Sequence, residues 1–299
     1  MDEDKQSVAS RQIRRVTYAS IAANILILVP IKFTVGFLTG SLSLVADGVN
    51  SISDMITDFA VLLGIHLGAK KPDRDHPYGH GKLETLIAAA IALGLLAMGL
   101  GMVYYAAHDI ATGNIKHPGN LVLVAAVFAV VIKEIIYRIT KAVALKYHCP
   151  AVLANAWHDR ADALSSVAVI IGAIAQKFGF DYGDQVAAIV IGIMISLVAA
   201  GIIKNCLAEL TEQAVDQATI DNIKDIIKTN GQVRQWHHLR TRAVGREIFL
   251  DLHILVDPTL SISDAHDISE KLEIDIRSQL SRPVNVIIHV EPDIPQLRK

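Results

Sequence analysis

Two apolar stretches of this chain carry groups that apolar stretches seldom hold. In SLVADGVNSISDMITDFAVLL, Asp47, Asn50, Asp54 and Asp58 recur at spacings of three and four, so on a helix they share one face. In NAWHDRADALSS, His158 and Asp162 lie one helical turn apart and aim at the same point, as metal ligands on a helix must. A carboxylate at bilayer depth costs ~3 kcal/mol even on lenient insertion scales, so a row of them demands a watery or metal-filled interior. Pairing the two faces offers Asn50 and Asp54 from one helix and His158 and Asp162 from the other. One nitrogen and three oxygens suit a tetrahedral or slightly expanded divalent site, and the two carboxylates neutralise a dication. Hydrogen bonding between helices is the plainer reading, and Asn50 alone fits it as well as it fits a ligand. Asp47 and Asp58 suit entrance residues or helix-end acids as much as ligands.

Two further clusters are weaker. The segment KPDRDHPYGHGKLE sets Asp73, His76 and His80 in a loop punctuated by proline and glycine, which can wrap a cation or leave its histidines in solvent. The last third supplies His237, His253, His266, His289 and Glu291 from separate expected elements, and these converge only in the fold or across a dimer interface. By residue type alone they read as surface histidines. Two cysteines, Cys149 and Cys206, make neither a disulfide framework nor a thiolate zinc knuckle and read as free buried thiols. Metal chemistry here therefore rests on oxygen and nitrogen. HExxH is absent and no further carboxylate stands as general base beside an open position, which argues against an intramembrane metallo-hydrolase.

The elements that must position these groups follow from composition. Hydrophobic residues make up 52 % of 299, and the mean hydropathy is +0.40, which excludes a disordered chain and argues against an ordinary soluble domain. A net charge of −2 implies no bulk attraction to nucleic acid. Six stretches reach the ~20 apolar residues that a spanning helix needs: 17–38, 42–67, 83–107, 121–144, 152–176 and 185–204. Arg11, Arg14 and Arg15 precede the first, Lys70, Lys71, Arg74 and Lys82 follow the second, and Lys141, Lys146 and Lys204 mark the same side. The opposite connections hold only Lys116 and Lys177, so both termini are expected in the cytoplasm. The charged N-terminus carries no evident cleavable signal peptide.

A transmembrane domain over 1–206 and a cytoplasmic domain over 207–299 are expected. In the latter, 219–229 reads as a helix broken by Asn230–Gly231, and 234–243 and 247–256 read as strands. In the second strand Ile248, Leu250, Leu252 and Ile254 alternate with Phe249, Asp251 and His253. A helix over 263–280, capped by Ser261 or Ser263, and a strand over 284–290 complete an α-β-β-α-β, metallochaperone-like α+β sandwich.

From end to end the chain resembles the cation diffusion facilitators. The resemblance rests on six spans, GSLSLVADGVNSISD, HPYGHGK, NAWHDRADALSS, and a tail holding HHLRTR, LHILV, DAH and VIIHVEP. It implies a homodimer of the cell inner membrane, in contact with lipid and not an enzyme, that exchanges cytoplasmic metal for protons by alternating access. It implies a transport site at Asn50, Asp54, His158 and Asp162, a loop site at Asp73, His76 and His80, and a regulatory cytoplasmic site at His237, His253, His266, His289 and Glu291. It also suggests a hinge pair between Lys82 and Glu212. The metal is substrate and regulator, and no organic cofactor is implied. Zinc-transporting branches usually carry His or Asp where this chain has Asn50, and a neutral amide oxygen shifts preference toward manganese or ferrous iron. His158 pulls toward zinc and iron. Glu291 stands where relatives often carry Asp.

Metal and protons compete for the same lone pairs, so His158, with a reference pKa of ~6.5, and the pair Asp54 and Asp162 are the expected coupling groups. A passive divalent-cation channel would instead show flux indifferent to pH. A non-transporting membrane metal sensor would show none.

Overall fold

The computed structural model describes residues 2–39, 42–113, 120–180 and 182–298, and within the helices the side chains of Asp47 and Asn50 lie outside what is described, as does Lys116. The chain divides into two compact units. One holds Val8–Leu207; the other holds Ala208–Lys299 together with Met1–Ser7.

Each of the six apolar stretches is helical. The first is covered by α1 (Asp2–Ala23), a π-helical turn (Asn24–Leu28) and α2 (Val29–Thr39). Pro30 explains the wide turn: it has no amide hydrogen for the carbonyl one turn back, and the backbone opens just before it. The others are α3 (Leu42–Gly68), α4 (Gly81–Thr112), α5 (Asn120–Lys146), α6 (Pro150–Lys177) and α7 (Gly183–Leu210). Three segments among the described residues are long and apolar enough to cross a membrane: Ser10–Val35, Gly81–Thr112 and Gln185–Leu210. The remaining helices, α3, α5 and α6, carry Asp54, Asp58, Lys133, Asp159 and Asp162.

Polarity in this unit is inverted relative to a water-soluble bundle. Leu26, Phe37, Phe59 and Leu197 are at least 70 % exposed, while Lys32, Asp54, Asp58, Lys133 and Asp159 are buried. An outward apolar surface with charge inside is what a hydrocarbon solvent requires. Cys149 and Cys206 form no disulfide and are buried, as expected, and pack with Ile13, Val61, Ile65 and Ile91. A second core joins Leu95 of α4 to Ile191 and Ile195 of α7. Helices α4 and α7 touch at two glycines: a Cβ on Gly99 would meet Ser196 Oγ at 2.5 Å and the Gly192 carbonyl at 2.8 Å. Small residues at such crossings let two backbones approach.

The other unit follows the expected order: α8 (Gln217–Thr229), β1 (Gln235–Val244), β2 (Glu247–Val256), α9 (Ile262–Gln279) and β3 (Val284–Pro292). The sheet order is β1-β2-β3, antiparallel then parallel. Asp216 caps α8 by accepting from the Thr219 amide at 3.0 Å, and Ser261, not Ser263, caps α9 through the Asp264 amide. Ile248, Leu250, Leu252 and Ile254 enter one core with Ile223 and Ile227 of α8 and Leu272 and Ile276 of α9. Phe249, placed by alternation on the polar face, is buried as well, with Arg242, its partner on β1, lying 5.5 Å over its ring.

Candidate functional site

The faces of α3 and α6 meet. His158 Nε2 lies 3.3 Å from Asp54 Oδ1, and one ligand atom each of Asp54, His158 and Asp162 fall within 4.8 Å of one another. One turn along the same two helices, Asn155 Nδ2 donates to Asp58 Oδ1 at 2.7 Å, and both side chains are buried. This is how two helices placed side by side should align groups spaced by four on α3 and by three on α6. Asn50 stands one turn from Asp54 on α3 but its side chain, like that of Asp47, is outside the described set.

A third helix contributes what the spacing did not reveal. Lys133 of α5, with a side chain 3 % exposed, donates from Nζ to Asp159 Oδ1 at 2.7 Å, Asp162 Oδ2 at 3.1 Å and Asp54 Oδ2 at 3.4 Å. Neither Lys133 nor Asp159 entered the sequence reading. The available signal was a lysine deep inside the apolar run VFAVVIKEIIYR, since an ionisable residue inside a span marks function. Asp159 sits three residues before Asp162, hence on a neighbouring strip of the same face. The α5–α6 contact that sets this meeting is pinned nearby, where Arg160 donates to Tyr137 Oη at 2.7 Å and lies 4.4 Å over its ring. On the other flank Lys32 of α2 donates to Ser51 Oγ of α3 at 2.8 Å.

The loop residues also come together. Asp73 Oδ1 accepts the backbone amides of Asp75 at 3.0 Å and His76 at 2.7 Å, an Asx turn that folds the loop on itself. His80 Nε2 then lies 3.4 Å from Asp73 Oδ2 and His76 Nδ1 3.5 Å from Oδ1, and all three ligand atoms fall within 4.8 Å. Gly79, with φ +82°, makes the tight return. The His76 amide bond to Asp73 holds its carboxyl below the ordinary carboxylate value, which keeps an oxygen charged for a cation.

In the cytoplasmic unit His237, His253 and His289 are cross-strand partners in one row over β1, β2 and β3. Glu291 leans into that row: His253 Nδ1 lies at 3.0 Å, His237 Nε2 at 3.3 Å and His289 Nε2 at 3.5 Å. Burial would raise the Glu291 carboxyl, but the His253 hydrogen bond and the three imidazoles hold it below its ordinary value. Among the described residues the tight group is His237, His253 and Glu291. His266, on α9, is not part of it.

His238 was missed. Consecutive strand residues normally face opposite ways, yet the His238 ring lies 4.8 Å from His237 and 5.1 Å from His253. A bulge between His237 and Arg240, with His238 at φ +51°, turns both rings to one side. A non-glycine residue in that region costs roughly 1–2 kcal/mol, which the packing around it offsets.

Of the expected hinge pair, Glu212 accepts from Arg242 at 2.9 Å within its own unit. Lys82 belongs to the other unit.

Comparison with known proteins agrees with this layout. Residues 17–211 match the cation efflux transmembrane domain, and residues 215–293 match the cation efflux protein cytoplasmic domain. An uncharacterized transporter of Methanocaldococcus jannaschii is 32 % identical, over 94 % of this chain and 99 % of its own. Metal tolerance protein 2 of Oryza sativa is also 32 % identical, over 95 % and 80 %. The manganese efflux system protein MneS of Bacillus subtilis is 32 % identical, over 91 % and 93 %. With both domain matches in chain order and full-length relatives, the chain belongs to the cation efflux family, the cation diffusion facilitators, transporters that export divalent metal cations and carry a metal-binding cytoplasmic domain.

Proposed function

We propose that this protein exports a divalent transition metal from the cytoplasm in exchange for protons, through a site made by Asp54, His158 and Asp162 with Asn50 as fourth ligand. The observation that carries the reading is the buried meeting of α3 and α6, where an imidazole and two carboxylates lie within 4.8 Å of one another. Two carboxylates and an imidazole bind a dication only when deprotonated, so protons arriving from the far side displace the ion from the same atoms. No separate proton path is then needed. Alternating access follows if the two openings of the bundle differ in affinity for metal and for protons.

All six helices span the membrane in this reading, with both termini cytoplasmic in a cell inner membrane and the apolar outer face against lipid. The domains divide at residues 206 and 207. The protein works as a homodimer. Its cytoplasmic cluster of His237, His253, His289 and Glu291, joined by His266 on dimerisation, senses metal and biases the transporter through differential affinity for its states. The loop group of Asp73, His76 and His80 captures metal before the transport site, and Lys82 pairs with Glu212 at the hinge. Asn50 and similarity to a manganese efflux protein favour manganese or ferrous iron, while His158 keeps zinc in range.

The test is reconstitution into liposomes with a pH-sensitive dye inside, adding Mn²⁺, Zn²⁺, Fe²⁺ and Cd²⁺ separately. Metal-dependent proton movement that disappears in Asp54→Ala is expected. Metal entry without proton movement would establish a channel, and no flux for any ion would leave a sensor.

A further inference from the structure

A protonated lysine has only donors and cannot ligate a metal, yet the Lys133 ammonium lies among the carboxylates that a transported cation would use. It reaches two of the ligands, Asp162 at 3.1 Å and Asp54 at 3.4 Å. Its shortest bond, 2.7 Å, goes to Asp159. Asp159 is outside the group of three whose ligand atoms converge, and its Oδ2 has no hydrogen-bond partner among the described residues. Asp159 thus takes the shortest of the lysine's three bonds and stands apart from the converging group.

An ammonium and a dication on the same two carboxylates would sit within a few ångströms and repel strongly in a dry interior. We propose that Lys133 is a tethered competitor of the transported cation: it withdraws onto Asp159 when a divalent ion takes Asp54, His158 and Asp162, and returns across Asp54 and Asp162 as the ion leaves. The four-carbon lysine stem allows the shift without backbone movement. This role rests on Asp54, His158 and Asp162 being the transport ligands.

The experiment measures the Zn²⁺ or Mn²⁺ concentration dependence of flux for the reconstituted full chain as wild type, Lys133→Gln, Asp159→Asn and the double variant, with thermal unfolding as the check on folding. Removing the competitor should lower KM about tenfold, the scale of one charge-assisted hydrogen bond, and lower kcat because release loses its assistant. Asp159→Asn, which frees the ammonium to hold the ligand carboxylates, should raise KM, and should have no effect once Lys133 is Gln. A folded Lys133→Gln with unchanged or higher KM overturns the proposal. If that variant does not fold, Asp159→Asn decides: an unchanged or lower KM also overturns it. Wild-type flux in Asp54→Ala is a different failure, because it would remove the transport site itself.

Discussion

Glu291 offers the sharpest test of the cytoplasmic cluster. Its carboxylate is the only acid in a group otherwise made of imidazoles, with His253, His237 and His289 at 3.0, 3.3 and 3.5 Å. Glu291→Gln keeps the size of the side chain and its carbonyl oxygen but removes the charge. A hydrogen bond or ligand contact to a charged group is worth about 1.5–3 kcal/mol, against about 1 for a neutral one. The loss of roughly 1–2 kcal/mol corresponds to a five- to thirtyfold weaker Kd. The assay is competition between the detergent-solubilised full chain and a chelating zinc dye at neutral pH, run in an Asp54→Ala, His80→Ala background so that neither the membrane site nor the loop group contributes binding. The variant should show the weaker Kd with unchanged thermal unfolding in metal-free buffer. A Kd within about twofold of that double-variant parent would falsify the assignment of Glu291 as a ligand. A folding defect in metal-free buffer would show instead that the carboxylate holds the three strands together.

Two further outcomes follow from packing and charge. Gly99→Ala places a methyl 2.5 Å from Ser196 Oγ and 2.8 Å from the Gly192 carbonyl, so α4 and α7 must separate; overpacking of this kind costs roughly 1–3 kcal/mol and should appear as a lower unfolding temperature, whereas an unchanged one would refute the close crossing. In the cytoplasmic unit, Asp293 is lowered chiefly by its Arg298 hydrogen bond and Asp257 chiefly by its Thr259 hydrogen bond. Carboxylates depressed in the folded state contribute stability that is fully present above the unfolded value of ~3.9 and is lost as pH falls through the folded values. Denaturant midpoints should therefore drop as pH falls below about 4, and drop less in Asp293→Asn; an identical acid response in that variant would refute the assignment.

Much of the architecture was legible because its signals are local. Helix length, the four-residue spacing on α3 and α6, and the alternation in β2 are properties of short windows, since an apolar face or pleat repeats within two turns or a few residues. The same windows identified Asp54, His158 and Asp162, whose ligand atoms then converge. What tertiary structure decided is what two distant windows do to each other. Lys133 lies 26 residues or more from every carboxylate it touches, and only the meeting of α5, α6 and α3 brings it there. His238 faces its neighbours only because a bulge breaks the two-residue period, which alternation cannot foresee. Phe249 is covered by Arg242 of the neighbouring strand, and His237, His253 and His289 form one row because the strand register aligns them. Periodicity states which face of an element is apolar or charged; the register and crossing of elements, set by contacts summed over the whole unit, state what that face meets.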